Sequence, residues 1–235
     1  MKKTGTIQRL AWGILLLATI CLTAMADMGK DDVMVKMNRA SELMKTGKFE
    51  EASAQYLDPI IAEFEKTYGN HKARVYCSNS SVETVLYLMQ SAKNKEEAIA
   101  VGGAYAYAYF LKGYIAVERH DAKSGLILIG KAVELTPSNP QFLSELANIY
   151  QDQKNWTVAL ELYERAIEGA KLLEEKGNTF YLRRALRGKG YVYVELGKYD
   201  ESEKMYQECL RLDATDKVAI GELGYVERER AKAKK

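Results

Sequence analysis

Residues 142–167 read FLSELANIYQDQKNWTVALELYERAI, and their spacing decides the fold. Apolar and small residues fall at Leu143, Leu146, Ala147 and Tyr150, then at Trp156, Ala159, Leu160, Tyr163, Ala166 and Ile167. Steps of three and four on both sides of Lys154-Asn155 are the period of a helix with one buried face. The stretch therefore reads as two amphipathic helices joined by a tight turn.

The same pattern returns on either side. Gly47-Lys48-Phe49-Glu50-Glu51-Ala52 and Gly197-Lys198-Tyr199-Asp200-Glu201-Ser202 align with Lys154-Asn155-Trp156-Thr157-Val158-Ala159. In each, an aromatic follows the turn, a small residue comes three positions later and a tyrosine four after that (Tyr56, Tyr163, Tyr206). Small residues also recur in the preceding helix, at Ala40, Gly113, Ala147 and Gly190. Such residues let two helices approach closely, and the aromatics fill the space between one hairpin and the next.

This pattern resembles the tetratricopeptide repeat, a 34-residue helix–turn–helix unit. Matching units run over about 33–66, 106–139, 140–173 and 183–216, with a degenerate one over about 78–105. The resemblance implies an all-α, right-handed superhelical solenoid, closed by a capping helix and basic tail over 217–235. Three local expectations depart from a regular array. Asp58-Pro59 should kink the second helix of the first unit or start a new one capped by Asp58. The second helix of the degenerate unit should be cut short at Gly102-Gly103. Trp156 and Tyr199 lie nine residues further apart than one repeat, so the helices around Gly169–Leu182 should each be extended, with a bend at Lys176-Gly177-Asn178.

The first 26 residues stand apart. Lys2, Lys3 and Arg9 precede an uncharged run, Leu10–Ala26, ending Ala24-Met25-Ala26. This is the pattern of a secretory signal peptide cleaved before Asp27; the other reading is an uncleaved inner-membrane anchor at the short edge of a span. Without those three basic residues, 31 basic residues face 32 acidic ones, so no global basic field argues for nucleic acid. The leader and the repeat style together point to a bacterial envelope protein, periplasmic or secreted after cleavage. Cys77 and Cys209 would remain, both read as small buried hydrophobes.

Nothing in the sequence spells a catalytic site, and no cofactor or metal is expected. His71 and His120 lack metal-ligand spacing, Cys77 has no histidine at a diagnostic distance, and no GKS or GKT follows Gly102-Gly103. The paired glutamates lie on polar helical faces, where acids are solvated. An interaction scaffold is the better reading, with another protein or peptide segment as partner and membrane proximity if the leader stays attached. A glycan-binding module is the lesser alternative.

In tetratricopeptide arrays the first helices line a groove for partner segments. Carried onto this chain, that resemblance implies Tyr87, Tyr107, Phe110, Tyr114, Asn148, Gln151, Arg184, Arg187 and Tyr191 as groove residues. Asn148 with Arg184 and Arg187 suggests an anion pocket, faintly resembling the carboxylate clamp of co-chaperone domains. Met37 and Ser41 stand where that clamp has lysine and asparagine. The run Tyr105–Phe110 shows rings on every side of one helix: either a peptide-binding patch or packing between units.

Overall fold

The computed structural model describes residues 30–173 and 179–233. The leader, the expected bend at 176–178 and the last two residues lie outside them. The chain divides into two compact units, 1–111 and 112–235. The division falls inside one helix.

In the first unit, α1 (Lys30–Lys45) and α2 (Phe49–Ala52) form a hairpin. A π-helical turn, Ser53–Leu57, then leads without a break into α3 (Asp58–Tyr68). Of the two outcomes expected at Asp58-Pro59, a new helix capped by Asp58 is not the one found: the capping position is Leu57, in helical conformation and with no side-chain bond. The π-turn accommodates the missing N–H and the ring of Pro59, so the chain stays helical through it.

The second half of the degenerate segment is not a short helix but a strand. β1 (Arg74–Ser78) pairs in parallel with β2 (Ala98–Gly102), Arg74 opposite Ala98, and α4 (Ser81–Lys93) makes the crossover. Short apolar runs such as Val75-Tyr76-Cys77 and Ile99-Ala100-Val101 have no periodicity that separates strand from buried helix. Pairing with a distant segment settles them. α4 starts with a reciprocal cap: Ser80 Oγ accepts the Glu83 N–H (3.2 Å), and Glu83 accepts that of Asn79 (2.5 Å).

The core of this unit is aromatic. Phe64 packs against Tyr68 (5.3 Å between centroids), Tyr105 (5.0 Å) and Tyr109 (6.1 Å, edge-on). The Tyr109 hydroxyl donates to Glu65. Tyr105, Tyr109 and Phe110 are buried, so most rings of the Tyr105–Phe110 run serve packing. They lie on α5 (Ala104–Glu118), whose last turns belong to the second unit.

The second unit is a run of helical hairpins: α6 (Ala122–Leu135), α7 (Pro140–Asp152) with α8 (Trp156–Leu173), α9 (Phe180–Glu195) with α10 (Tyr199–Leu212), and α11 (Lys217–Ala233). Each helix packs on the next, and α7 touches α9 as α9 touches α11. The fold is thus an all-helical repeat solenoid, with one small parallel sheet in the first unit. Longer helices take up part of the excess spacing: α8 has 18 residues against 14 in α6 and in α10, and α9 has 16 against 13 in α7.

The turns repeat in atomic detail. Lys198 N–H donates to Tyr193 O (2.8 Å) and Gly197 N–H to Val194 O (2.8 Å), with Gly197 left-handed (φ 69°). Lys154-Asn155 makes the same bonds to Gln151 and Tyr150, and His120-Asp121 to Val117 and Ala116, with φ of 58° and 61° at Lys154 and His120. This is the Schellman closure. The small residues act at the crossings: a Cβ on Gly113 would stand 2.6 Å from Ile129, and one on Gly190 2.9 Å from Tyr206.

Candidate protein-interaction surface

The predicted groove residues separate once their surroundings are known. In the first unit, Tyr87 is buried and stacked on Tyr76 (5.1 Å, 22°). Phe110 is buried too, whereas Tyr107, 5.6 Å from it, keeps 36% of its surface. Tyr87 and Phe110 are core, and only Tyr107 of these three reaches solvent.

In the second unit, one face of the first helices gathers Tyr114, Asn148, Arg184 and Tyr191. Asn148 is held from both ends: its amide donates to Glu145 (3.0 Å), and its carbonyl accepts from the Tyr163 hydroxyl (2.6 Å). That hydroxyl also lies 2.9 Å from Gln151 Oε1. Burial raises the Tyr163 phenol far above its ordinary value, so it stays neutral and its single proton serves the shorter bond, to Asn148.

The arginines are engaged within the fold. Arg184 pairs with Glu145. Arg187 Nη1 lies 2.5 Å from Asp216 Oδ2, and Arg183 Nη1 lies 2.8 Å from the same oxygen and 2.9 Å from Asp213. Asp216 also accepts the N–H groups of Val218 (3.2 Å) and Ala219 (3.1 Å), capping α11. Burial alone would raise its pKa; the Ala219 N–H and the two guanidinium groups outweigh that and hold it below the ordinary carboxylate range. These charges clamp α11 onto α9, and the expected anion pocket is filled from inside.

A row of acids at the same phase escaped the sequence reading as a set. Glu118, Asp152, Glu195 and Glu229 follow Tyr114, Asn148, Tyr191 and Tyr225 by four residues each, stepping by 34, 43 and 34 along the chain. That repeated step is the signal that finds them. Glu118 is hydrogen-bonded to Tyr114, and this bond with burial raises the Tyr114 pKa. Burial, then Glu195, raise Tyr191; burial, then Glu229, raise Tyr225. Glu229 holds Lys232 (2.7 Å). Among the described residues no cation closes on Glu118, Asp152 or Glu195. The face is therefore lined with phenols and, among the described residues, its row of acids has no paired cation beyond Lys232.

Residues 140–215 match the tetratricopeptide repeat family. Over that segment the chain is similar to a tetratricopeptide array. The segment contains the hairpins α7–α8 and α9–α10, the most regular part of the chain. No curated protein matches the sequence. Among solved structures, a MamA RS-1 ArsTM double mutant is similar over 86% of this chain and 87% of its own, at 14% identity and a TM-score of 0.55. That likeness extends the repeat fold beyond the matched residues. The first tetratricopeptide domain of Spaghetti (RPAP3), bound to the HSP90 peptide SRMEEVD, is 21% identical over 54% of this chain and 93% of its own, with a TM-score of 0.46. The N-terminal domain of stress-induced protein-1 from C. elegans is 20% identical over 53% and 96%, with a TM-score of 0.47.

Proposed function

We propose that this protein is a non-catalytic interaction module of the bacterial envelope. The first-helix face of its second unit holds a lysine- or arginine-bearing segment of another protein. The observation that carries this reading is the row Glu118, Asp152 and Glu195 beside Tyr114, Tyr191 and Tyr225. Repeated carboxylates without cations attract positive charge. Phenols beside them suit the aliphatic stems and charged heads of basic side chains. The helices that carry them are packed in place, so the face is preformed and little ordering entropy opposes binding. The arginines favour no acidic tail, because Glu145 and Asp216 already occupy them.

The test is a binding titration with two pools of extended peptides of equal length, one rich in Lys and Arg, one rich in Asp and Glu. The basic pool should bind, weaken as salt rises, and be lost in the Asp152→Lys/Glu195→Lys protein. Both positions are exposed, so the helical signal and melting temperature should be unchanged. Equal or better binding of the acidic pool would overturn the reading. The export component is tested by N-terminal sequencing of the protein recovered from cells. A start at Asp27 supports cleavage and release, retention of Leu10–Ala26 in the membrane fraction points to an anchored accessory factor, and an intact soluble chain removes the envelope assignment. Among the described residues no helix is long and apolar enough to cross a membrane.

A further inference from the structure

We propose that the outward stripe of α11 pairs with α11 of a second copy of this chain. Gly224 lies 34 residues after Gly190, as Ala147 lies 34 after Gly113. Ile220 is likewise 34 residues after Leu186. By phase, α11 is thus a first helix. In α7 and α9 the equivalent face is covered by a second helix: Leu143, Ala147 and Leu186 are buried, and Tyr206 seats on Gly190. In α11 no helix among the described residues covers it. Ile220 is 53% exposed, a Cβ on Gly221 would meet nothing, and one on Gly224 would meet only Arg228 of its own helix at 3.5 Å. Ala219 and Val226, on the other side of α11, are buried, so the helix is anchored with this face outward.

The pattern of the face selects its occupant. Lys217, Ile220, Gly224 and Glu227 line one stripe of α11. An antiparallel copy related by a two-fold axis at Glu222 sets Ile220 against Gly224 of the second copy, and Lys217 against Glu227 of the second copy. Each contact occurs twice, as in an isologous interface. Ile220 would fill the gap over glycine as Ile129 does over Gly113. Lys217 and Glu227 are exposed and have no ion-pair partner among the described residues, so both charges are available. Like charges in this register would oppose pairing.

Sedimentation equilibrium of the full chain, from dilute to concentrated, tests the pairing. A reversible monomer–dimer equilibrium is expected. Ile220→Arg should abolish it while leaving the thermal melt unchanged. Lys217→Glu and Glu227→Lys should each weaken it by about tenfold or more, because each brings like charges together. An equimolar mixture of these two variants should regain dimers, since every pair then becomes opposite in sign. A monomer at every concentration, or a dimer indifferent to Ile220→Arg or to the charge reversals, overturns the proposal.

Discussion

Lys154 stands in the turn position that Gly47 and Gly197 hold in other hairpins, with φ at 58°. A side chain with a Cβ pays about 1–2 kcal/mol for that conformation, while glycine costs up to about 1 kcal/mol in the unfolded chain. The balance favours glycine. Lys154→Gly should stabilise the protein by about 0.5–1 kcal/mol in urea unfolding, and a loss of stability would show that the Lys154 side chain contributes where the structure has it exposed. Ser202 is the opposite case. It occupies the small-residue position held by Ala52 and Ala159, and its hydroxyl is buried with no hydrogen-bond partner among the described residues. Ser202→Ala should stabilise by about 1 kcal/mol, read as a higher midpoint with an unchanged slope. The glycine and alanine signature was legible in the sequence at both places. That His120 and Lys154 adopt the same left-handed turn was not, because neither residue type announces it.

Between elements, the decisive contact is Asp216 with Arg183 and Arg187. The carboxylate caps α11 and binds two guanidinium groups of α9. Asp216→Asn keeps a capping side chain but leaves two partly exposed arginines without their shared charge. A cost of about 2–3 kcal/mol is expected, below that of a fully buried pair because solvent reaches the arginines. The pH dependence follows from the depressed pKa. The contribution is fully present above the unfolded aspartate value of about 3.9, and is lost as pH falls through the lower folded value. Urea midpoints below pH 4 should therefore fall more steeply for the wild type than for Asp216→Asn; parallel profiles would contradict the clamp. The arginines were visible in the sequence as cations on a groove helix. Their neutralisation was not, since Asp216 lies 29 residues from Arg187 and meets it only when α11 docks on α9.

At the scale of the whole chain, each unit has one buried thiol among its described residues, Cys77 in the first and Cys209 in the second. Burial pushes the Cys209 thiol up to about 12, so almost no thiolate exists near neutral pH. In the chain from Asp27 onward, neither cysteine should react with a thiol reagent under native conditions. Labelling through a denaturant series, followed by peptide mapping, should show Cys77 reporting the opening of the first unit and Cys209 that of the second. Rapid native labelling of Cys209 would contradict its burial.

The sequence by itself determined the hairpin period, the turn positions and the close helix crossings, because these depend on residues within one or two turns of each other. Tertiary structure decided the rest. Residues 74–78 and 98–102 became strands by pairing with each other, and Tyr87 and Phe110 left the expected groove for the core. The cations at 184 and 187 were taken up by acids on other helices, while among the described residues no cation took up the acids at 118, 152 and 195. Each of these outcomes rests on partners far away in the chain, which local spacing cannot name.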